Sequence, residues 1–196
     1  MAYSKTALRQ KLIKLRQEFS VDFRKRAAEA AAEIFLKTPH FSNHQHFACY
    51  HAQKSEMDTA PLINKIWGAK KQCYLPVINT PPNKVLQFVH YEPHSQLKKN
   101  DHKIFEPIAS QEISLHNLEV IIAPLLGFDL QGNRLGMGLG YYDHTLSYLY
   151  EQNKKKCIYL GLAYAIQCVD RIQADIWDIP LDGVITEQQF ICLSRL

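Results

Sequence analysis

Leu118-Glu-Val-Ile-Ile-Ala-Pro-Leu-Leu-Gly-Phe-Asp-Leu-Gln-Gly-Asn-Arg-Leu-Gly-Met-Gly-Leu-Gly-Tyr-Tyr-Asp143 contains the fold in miniature. Leu118–Pro124 is a β-branched run closed by proline, the pattern of a strand buried on both faces. A turn over Asp129–Asn133 follows. Gly136, Gly138 and Gly140 then alternate, and a helical pattern over Tyr141–Glu151 starts where the glycines stop. Strand, glycine loop and helix N-terminus in that order form an anion-binding arrangement. Missing Cβ atoms let backbone N–H groups converge on a ligand, and the helix dipole favours negative charge there.

The neighbours of the glycines carry the chemistry. Arg134 offers a fork of donors to phosphate oxygens. Asp143 offers a hard oxygen ligand for a cation. Tyr141 and Tyr142 offer flat faces and hydroxyls. The spacing is neither common phosphate loop: no Lys-Ser/Thr ends it, and it reads G-x-G-x-G without an acidic ribose-binding residue at the expected distance. The glycines alone also fit a plain turn. With Arg134 and Tyr141-Tyr142-Asp143 beside them, the stretch reads as a nucleotide site.

Outward from this stretch, helices and strands alternate. Leu8, Leu12, Leu15 and Phe19 make one apolar stripe of a helix over residues 5–19, with Ser4 as its N-cap and Lys5 and Arg9 sharing a face. Ser20 caps a second, alanine-rich helix that Pro39 ends. His46–Tyr50 reads as a strand, and Asp58 or Thr59 caps a helix with Pro61 in its first turn. Gln72–Ile78 and Val85–Tyr91 read as an antiparallel hairpin across Asn79–Asn83. Residues 92–117 read as polar and irregular. Cys157–Ala163 and Gly183–Thr186 are further strands. The pattern predicts an α/β chain: a single three-layer α/β/α domain over residues 1–196, with a mostly parallel central sheet and helices on both faces.

Composition bounds the function. With 46% hydrophobic and 21% charged residues the chain is ordinary globular, and no stretch nears the ~20 apolar residues of a membrane span. Residues 1–37 carry a net charge of +5 and the remainder −1. The positive charge therefore sits on the first two helices, either as a solvated face or as a wall that attracts anions. No aromatic-interleaved basic motif speaks for nucleic acid. Cys49, Cys73, Cys157, Cys168 and Cys192 form no C-x-x-C pair, which fits reduced, mostly buried thiols. His40, His44 and His46 match no standard zinc spacing and read as loop and surface residues.

Gly-Asn-Arg-Leu-Gly-x-Gly-x-Gly-Tyr-Tyr-Asp resembles the signature of the 5-formyltetrahydrofolate cyclo-ligase (methenyltetrahydrofolate synthetase) family. Lys5-Thr-Ala-Leu-Arg9, Glu56-Met-Asp-Thr59, Phe105-Glu-Pro107, Pro124–Asp129, Asp178-Ile-Pro-Leu-Asp182 and Thr186-Glu187 follow in family order. The resemblance thus runs from Lys5 to Glu187. It implies a fold like that of NagB, RpiA and the CoA transferases, and a cytoplasmic monomeric enzyme with no nucleic-acid or membrane partner. It also implies the reaction of 5-formyltetrahydrofolate with ATP, needing Mg²⁺, to give 5,10-methenyltetrahydrofolate, ADP and phosphate.

Site roles are implied by the same resemblance. ATP is bound by Lys5, Thr6, Ala7, Leu8 and Arg9, and by Arg134, Leu135, Gly136, Met137, Gly138, Leu139, Gly140, Tyr141 and Tyr142. Arg134 and Tyr142 are catalytic. Tyr50, His51, Glu56, Tyr141 and Tyr142 contact the folate, with Glu56 on the pterin's amino and N–H edge. Asp143 and Asp178 hold Mg²⁺. Two positions depart from the family: Leu139 stands where Gly or Lys is usual, and His144 where Arg is usual. They leave open a non-catalytic folate- or nucleotide-binding protein. An isomerase or CoA transferase on a related scaffold would need its own base or nucleophile, and no acid/base pair is placed for one.

Overall fold

The computed structural model of the chain describes residues 4–78, 84–108, 111–151 and 157–193. The expected turn over Asn79–Asn83 lies outside them. The helices are α1 (Lys5–Gln17), α2 (Val21–Leu36), α3 (Pro39–Ser42), α4 (Ala60–Gly68) and α5 (Tyr141–Glu151). The strands are β1 (His46–Ala48), β2 (Gln72–Val77), β3 (Gln87–His90), β4 (Leu97–Lys99), β5 (Phe105–Pro107), β6 (Glu112–Ile113), β7 (Val120–Pro124), β8 (Gly127–Phe128), β9 (Arg134–Leu135), β10 (Ile158–Leu162), β11 (Gly183–Ile185) and β12 (Phe190–Cys192).

The main sheet runs β12-β11-β10-β7-β1-β2-β3-β6. Its five central strands, β11 to β2 in that order, are parallel, and β12, β3 and β6 pair antiparallel at the edges. Alternation along the central strands fills two separate cores. Phe47, Val120, Ile122 and Leu160 face α2 and α4. Ala48, Ile121, Ala123 and Tyr159 face α5. Helices therefore cover both faces, as parallel strands require, because their side chains are buried on either side. No helix among the described residues is long and apolar enough to cross a membrane.

Local signals set the element ends. Ser4 Oγ accepts from the Ala7 N–H at 3.2 Å and Ser20 Oγ from the Phe23 N–H at 3.1 Å, so both serine caps stand as read. The cap of α2 redirects the chain before Phe19. That ring leaves the stripe of α1 and packs on Phe23 and Tyr164, at centroid distances of 4.5 and 4.8 Å. At α4 the two candidate caps divide the work: Thr59 occupies the N-cap position, while the Asp58 carboxylate accepts the Ala60 N–H at 3.0 Å. Pro39 ends α2 and also opens the single turn α3.

Residues 92–117 hold more structure than their polarity shows. β4 and β5 form a hairpin, and β6 adds to the edge of the main sheet. The hairpin is fixed by Glu106, a buried carboxylate that accepts the Ile78 N–H at 2.8 Å and the Asn100 amide at 2.6 Å. A second hairpin, β8–β9, precedes the glycines. Its turn closes on Asp129, which is 0% exposed and accepts from Gln131, Asn133 and Ile172. Four donors on one buried carboxylate make this turn rigid.

Candidate active site

The sheet order decides where a ligand can sit. From β1 the chain steps to β2 on one side, while β7 lies on the other. Such a reversal opens a crevice at the carboxyl ends of the strands. A cavity of about 460 Å³ lies there. Tyr50 and His51 enter it after β1, Pro76 and Ile78 at the end of β2, and Pro124 and Leu125 at the end of β7. The glycine loop and the start of α5 form the facing wall.

α1 crosses this wall and brings cations to it. Lys5 Nζ lies 2.6 Å from Asp175 and 3.1 Å from Asp178. Burial alone would lower the Lys5 pKa, but both carboxylates outweigh it and hold the ammonium charged. Arg9 Nε donates to the Gly136 carbonyl at 2.9 Å, so α1 holds the loop directly. Gly138 and Gly140 have φ of +97° and +78°, a conformation that a side chain disfavours. A Cβ on Gly138 would also meet the Arg9 guanidinium at 3.4 Å.

Arg134 is the charged centre of the site. Its side chain is 8% exposed and pairs with Asp143 at 2.7 Å. Its guanidinium carbon lies 5.7 Å from the ring centroids of both Tyr142 and Tyr159. Its Nε is buried and makes no hydrogen bond among the described residues. A buried guanidinium N–H without a partner costs free energy, and here it belongs to a group lining a cavity. Asp143 also accepts the Ile179 N–H at 3.2 Å. It thus locks α5 to the segment that carries Asp178.

The other end of the cavity suits a planar polar ligand. Glu56 lies part-buried there, and burial pushes its carboxyl above the ordinary carboxylate range. The Gln53 N–H at 2.8 Å and the charge of Arg16 pull the other way. The Tyr50 hydroxyl donates to the Met57 carbonyl at 2.7 Å, which fixes the Glu56 loop. The His51 ring packs tilted on Phe105 at a centroid distance of 4.9 Å, and its Nδ1 is buried without a hydrogen-bond partner among the described residues. Burial and Tyr159 push the Tyr142 hydroxyl well up, against the opposing charge of Arg134. Tyr142 is therefore a hydrogen-bond donor at neutral pH.

Of the expected site residues, Lys5, Arg9, Tyr50, His51, Glu56, Arg134 to Asp143 and Asp178 all line this one cavity. Thr6, Ala7 and Leu8 do not. Thr6 and Ala7 are exposed, and Leu8 is buried against Leu126, Leu135 and Ile172. Tyr141 and Tyr142 each face the cavity and also pack on the core. Asp178 both faces the cavity and fixes its turn, accepting the Asp175 N–H at 2.9 Å. The sequence reading gave no role to Asp175, Phe105 or Arg16. Phe105 lies in a quoted motif, and Arg16 lies seven residues beyond Arg9 on the helix. Asp175 carries no sequence signal.

A family model described as the 5-formyltetrahydrofolate cyclo-ligase family matches residues 1–187. The 5-formyltetrahydrofolate cyclo-ligase of Haemophilus influenzae is 31% identical over 180 residues, which cover 91% of this chain and 95% of that protein. The Escherichia coli protein of the same name is 41% identical over 133 residues, 67% of this chain and 71% of its own length. Among solved structures, Aquifex aeolicus 5,10-methenyltetrahydrofolate synthetase has a TM-score of 0.82 and 28% identity, covering 98% of this chain and 94% of that one.

Proposed function

The chain belongs to the 5-formyltetrahydrofolate cyclo-ligase family, and on that premise we propose that its single domain, residues 1–196, converts 5-formyltetrahydrofolate and ATP to 5,10-methenyltetrahydrofolate, ADP and phosphate. The observation that carries this reading is one cavity with two chemically distinct ends. Cations and a glycine loop stand at one end, and a part-buried carboxylate with aromatic rings at the other.

The reaction asks for positioning and charge neutralisation. The formyl oxygen attacks the γ-phosphorus, the bond to the β-phosphate oxygen breaks, and ADP leaves. N10 then attacks the formyl carbon and gives up its proton as phosphate departs with the oxygen. Arg134, through its unpartnered Nε, and the loop N–H groups would hold the transferring phosphoryl group. Lys5 and Arg9 would hold the remaining phosphates. Glu56 would accept from the pterin's amino and N–H edge. Tyr142 would donate to the reacting end of the folate.

Mg²⁺ fits the donor set. Among the described residues no three His, Cys, Asp or Glu side chains form a ready metal cluster. Mg²⁺ commonly takes one or two carboxylates and completes its shell with phosphate and water. Asp143 and Asp178 supply two carboxylates on the nucleotide side of the cavity. Each is paired with a cation, Arg134 and Lys5 respectively. Phosphate binding would draw those cations away and release carboxylate oxygens for the metal. Bound there, Mg²⁺ would neutralise charge on the phosphate oxygens. We further read the protein as a cytoplasmic monomer.

The direct test follows the methenyl chromophore after mixing protein, 5-formyltetrahydrofolate, ATP and Mg²⁺. The expected signal requires ATP and falls by at least about a hundredfold in Asp143→Ala. Folate binding with no ATP-dependent signal would instead establish a binding protein, with Leu139 and His144 marking lost turnover. A separate prediction concerns Gly138→Ala. The positive φ and the nearby Arg9 should raise the KM for ATP about tenfold, from a strain of about 1–2 kcal/mol, and leave the folate KM unchanged. Steady-state kinetics with each substrate varied would check it.

A further inference from the structure

Residues 175–178 form a turn that is pinned from three sides. The Asp178 N–H donates to the Asp175 carbonyl at 3.0 Å, and the Asp175 N–H donates to the Asp178 carboxylate at 2.9 Å. Lys5 Nζ clamps both carboxylates, at 2.6 and 3.1 Å. The Ile179 N–H donates to Asp143 at 3.2 Å, and Asp143 pairs with Arg134 at 2.7 Å. The turn is thus tied to two cations of the phosphate end. It presents Trp177, which lines the cavity and is still 63% exposed. Met137 and Leu139, also exposed, line the same cavity from between the glycines. Their loop is held in turn by Arg9, which donates to the Gly136 carbonyl at 2.9 Å. Single exposed apolar side chains are ordinary on a surface. Three on the wall of one cavity, carried by a turn and a loop that are both anchored, mark the place of a ligand's apolar part.

We propose that Trp177 is the platform on which the purine base of the nucleotide stacks, with Met137 and Leu139 supplying aliphatic surface from the loop side. This rests on the reading that the triphosphate lies on the glycine loop. A triphosphate held there by Lys5, Arg9 and Arg134 leaves its base to find a flat apolar partner close to those cations. The Trp177 indole stands on the turn that Lys5 itself clamps. Of the Phe, Tyr and Trp rings that line the cavity, Trp177 alone is exposed. Tyr50 and Phe105 belong to the folate end, and Tyr141 and Tyr142 pack on the core. Every base has a π-face, so such a platform adds affinity for the nucleotide and selects little among bases.

The chain has two tryptophans. Trp67 lies on α4 outside the cavity wall, its Nε1 donating to the Tyr91 carbonyl at 2.8 Å. The fluorescence difference between the wild type and Trp177→Leu therefore reports Trp177. ATP with Mg²⁺ should quench the wild type and leave Trp177→Leu unquenched. Tripolyphosphate, which carries the phosphates without a base, should displace ATP and quench neither protein. By calorimetry, Trp177→Leu should raise the Kd for ATP about tenfold and leave that for tripolyphosphate within about twofold. Trp177→Phe keeps a flat ring and should restore most of the ATP affinity. The folate KM should not move in either variant. An unchanged ATP Kd in Trp177→Leu would overturn the proposal. Equal weakening of ATP and tripolyphosphate would do the same, because it would mean only a loosened Lys5 clamp. So would a folate KM that rises alone. If Trp177→Leu does not fold, the wild type still decides, since ATP that binds without quenching excludes stacking on Trp177. Wild-type protein that binds neither ATP nor tripolyphosphate would sink the phosphate reading and the platform with it. Tripolyphosphate bound as tightly as ATP would sink the platform alone.

Discussion

Arg134→Met is expected to lower kcat/KM for ATP by about 10³-fold, in the range seen when one donor to developing charge is removed. Its guanidinium sits in a nearly dry place between two tyrosine rings, where a charge acts more strongly than in water. Its Nε has no competing partner to release among the described residues. The substitution also strips Asp143 of its ion pair and leaves the Ile179 N–H as that carboxylate's remaining hydrogen bond among the described residues. A lower melting temperature should therefore accompany the kinetic loss. The two effects separate with Arg134→Lys: charge returns without the fork, so most of the stability should return while kcat stays well below wild type. A folded Arg134→Met protein within about threefold of wild-type kcat/KM would remove Arg134 from the chemistry.

Glu56→Gln should act on the other substrate and with the opposite sign on stability. A carboxylate that accepts charge-assisted hydrogen bonds from the pterin edge contributes about 1.5–3 kcal/mol. Its loss corresponds to a folate KM raised roughly 10- to 150-fold, with the ATP KM unchanged. Burial raises the Glu56 pKa in the folded chain, so between the ordinary carboxylate range and that raised value the native state binds more protons than the unfolded one. Stability from this group consequently falls as pH rises through that window, and the ionised carboxylate is a burden at neutral pH. Glu56→Gln should therefore melt at a higher temperature than wild type at pH 7, and the difference should shrink towards pH 4. Thermal melts at several pH values would show it. A melting temperature lower at every pH would mean that Glu56 is held by contacts that glutamine cannot replace.

Such a residue keeps its charge against the preference of the fold, which is common where binding needs a charge in a poor solvent. Arg134, with its unsatisfied N–H, is a second case. Neither strain is legible in the sequence. Glu56 stands in a polar run, His51–Glu56, with nothing in its neighbours to say that the sheet will enclose it.

The sequence by itself determined what depends on near neighbours along the chain. The serine caps of α1 and α2, the β-branched central strands, the glycine run opening α5 and the antiparallel pairing of β2 with β3 all follow from periods and caps spanning a few residues. The tertiary structure decided what spans the chain. Lys5 meets Asp178 across 173 positions, Arg9 meets the Gly136 carbonyl across 127, and Arg16 meets the Leu125 carbonyl across 109. The hairpin that sets Phe105 against His51 hangs on Glu106, whose partner Ile78 is 28 positions away. These pairings come from the order of strands in the sheet, which places the ends of β1, β2 and β7 side by side. That order is fixed by burying two hydrophobic faces at once, a property of the packed whole that no local run of residues carries.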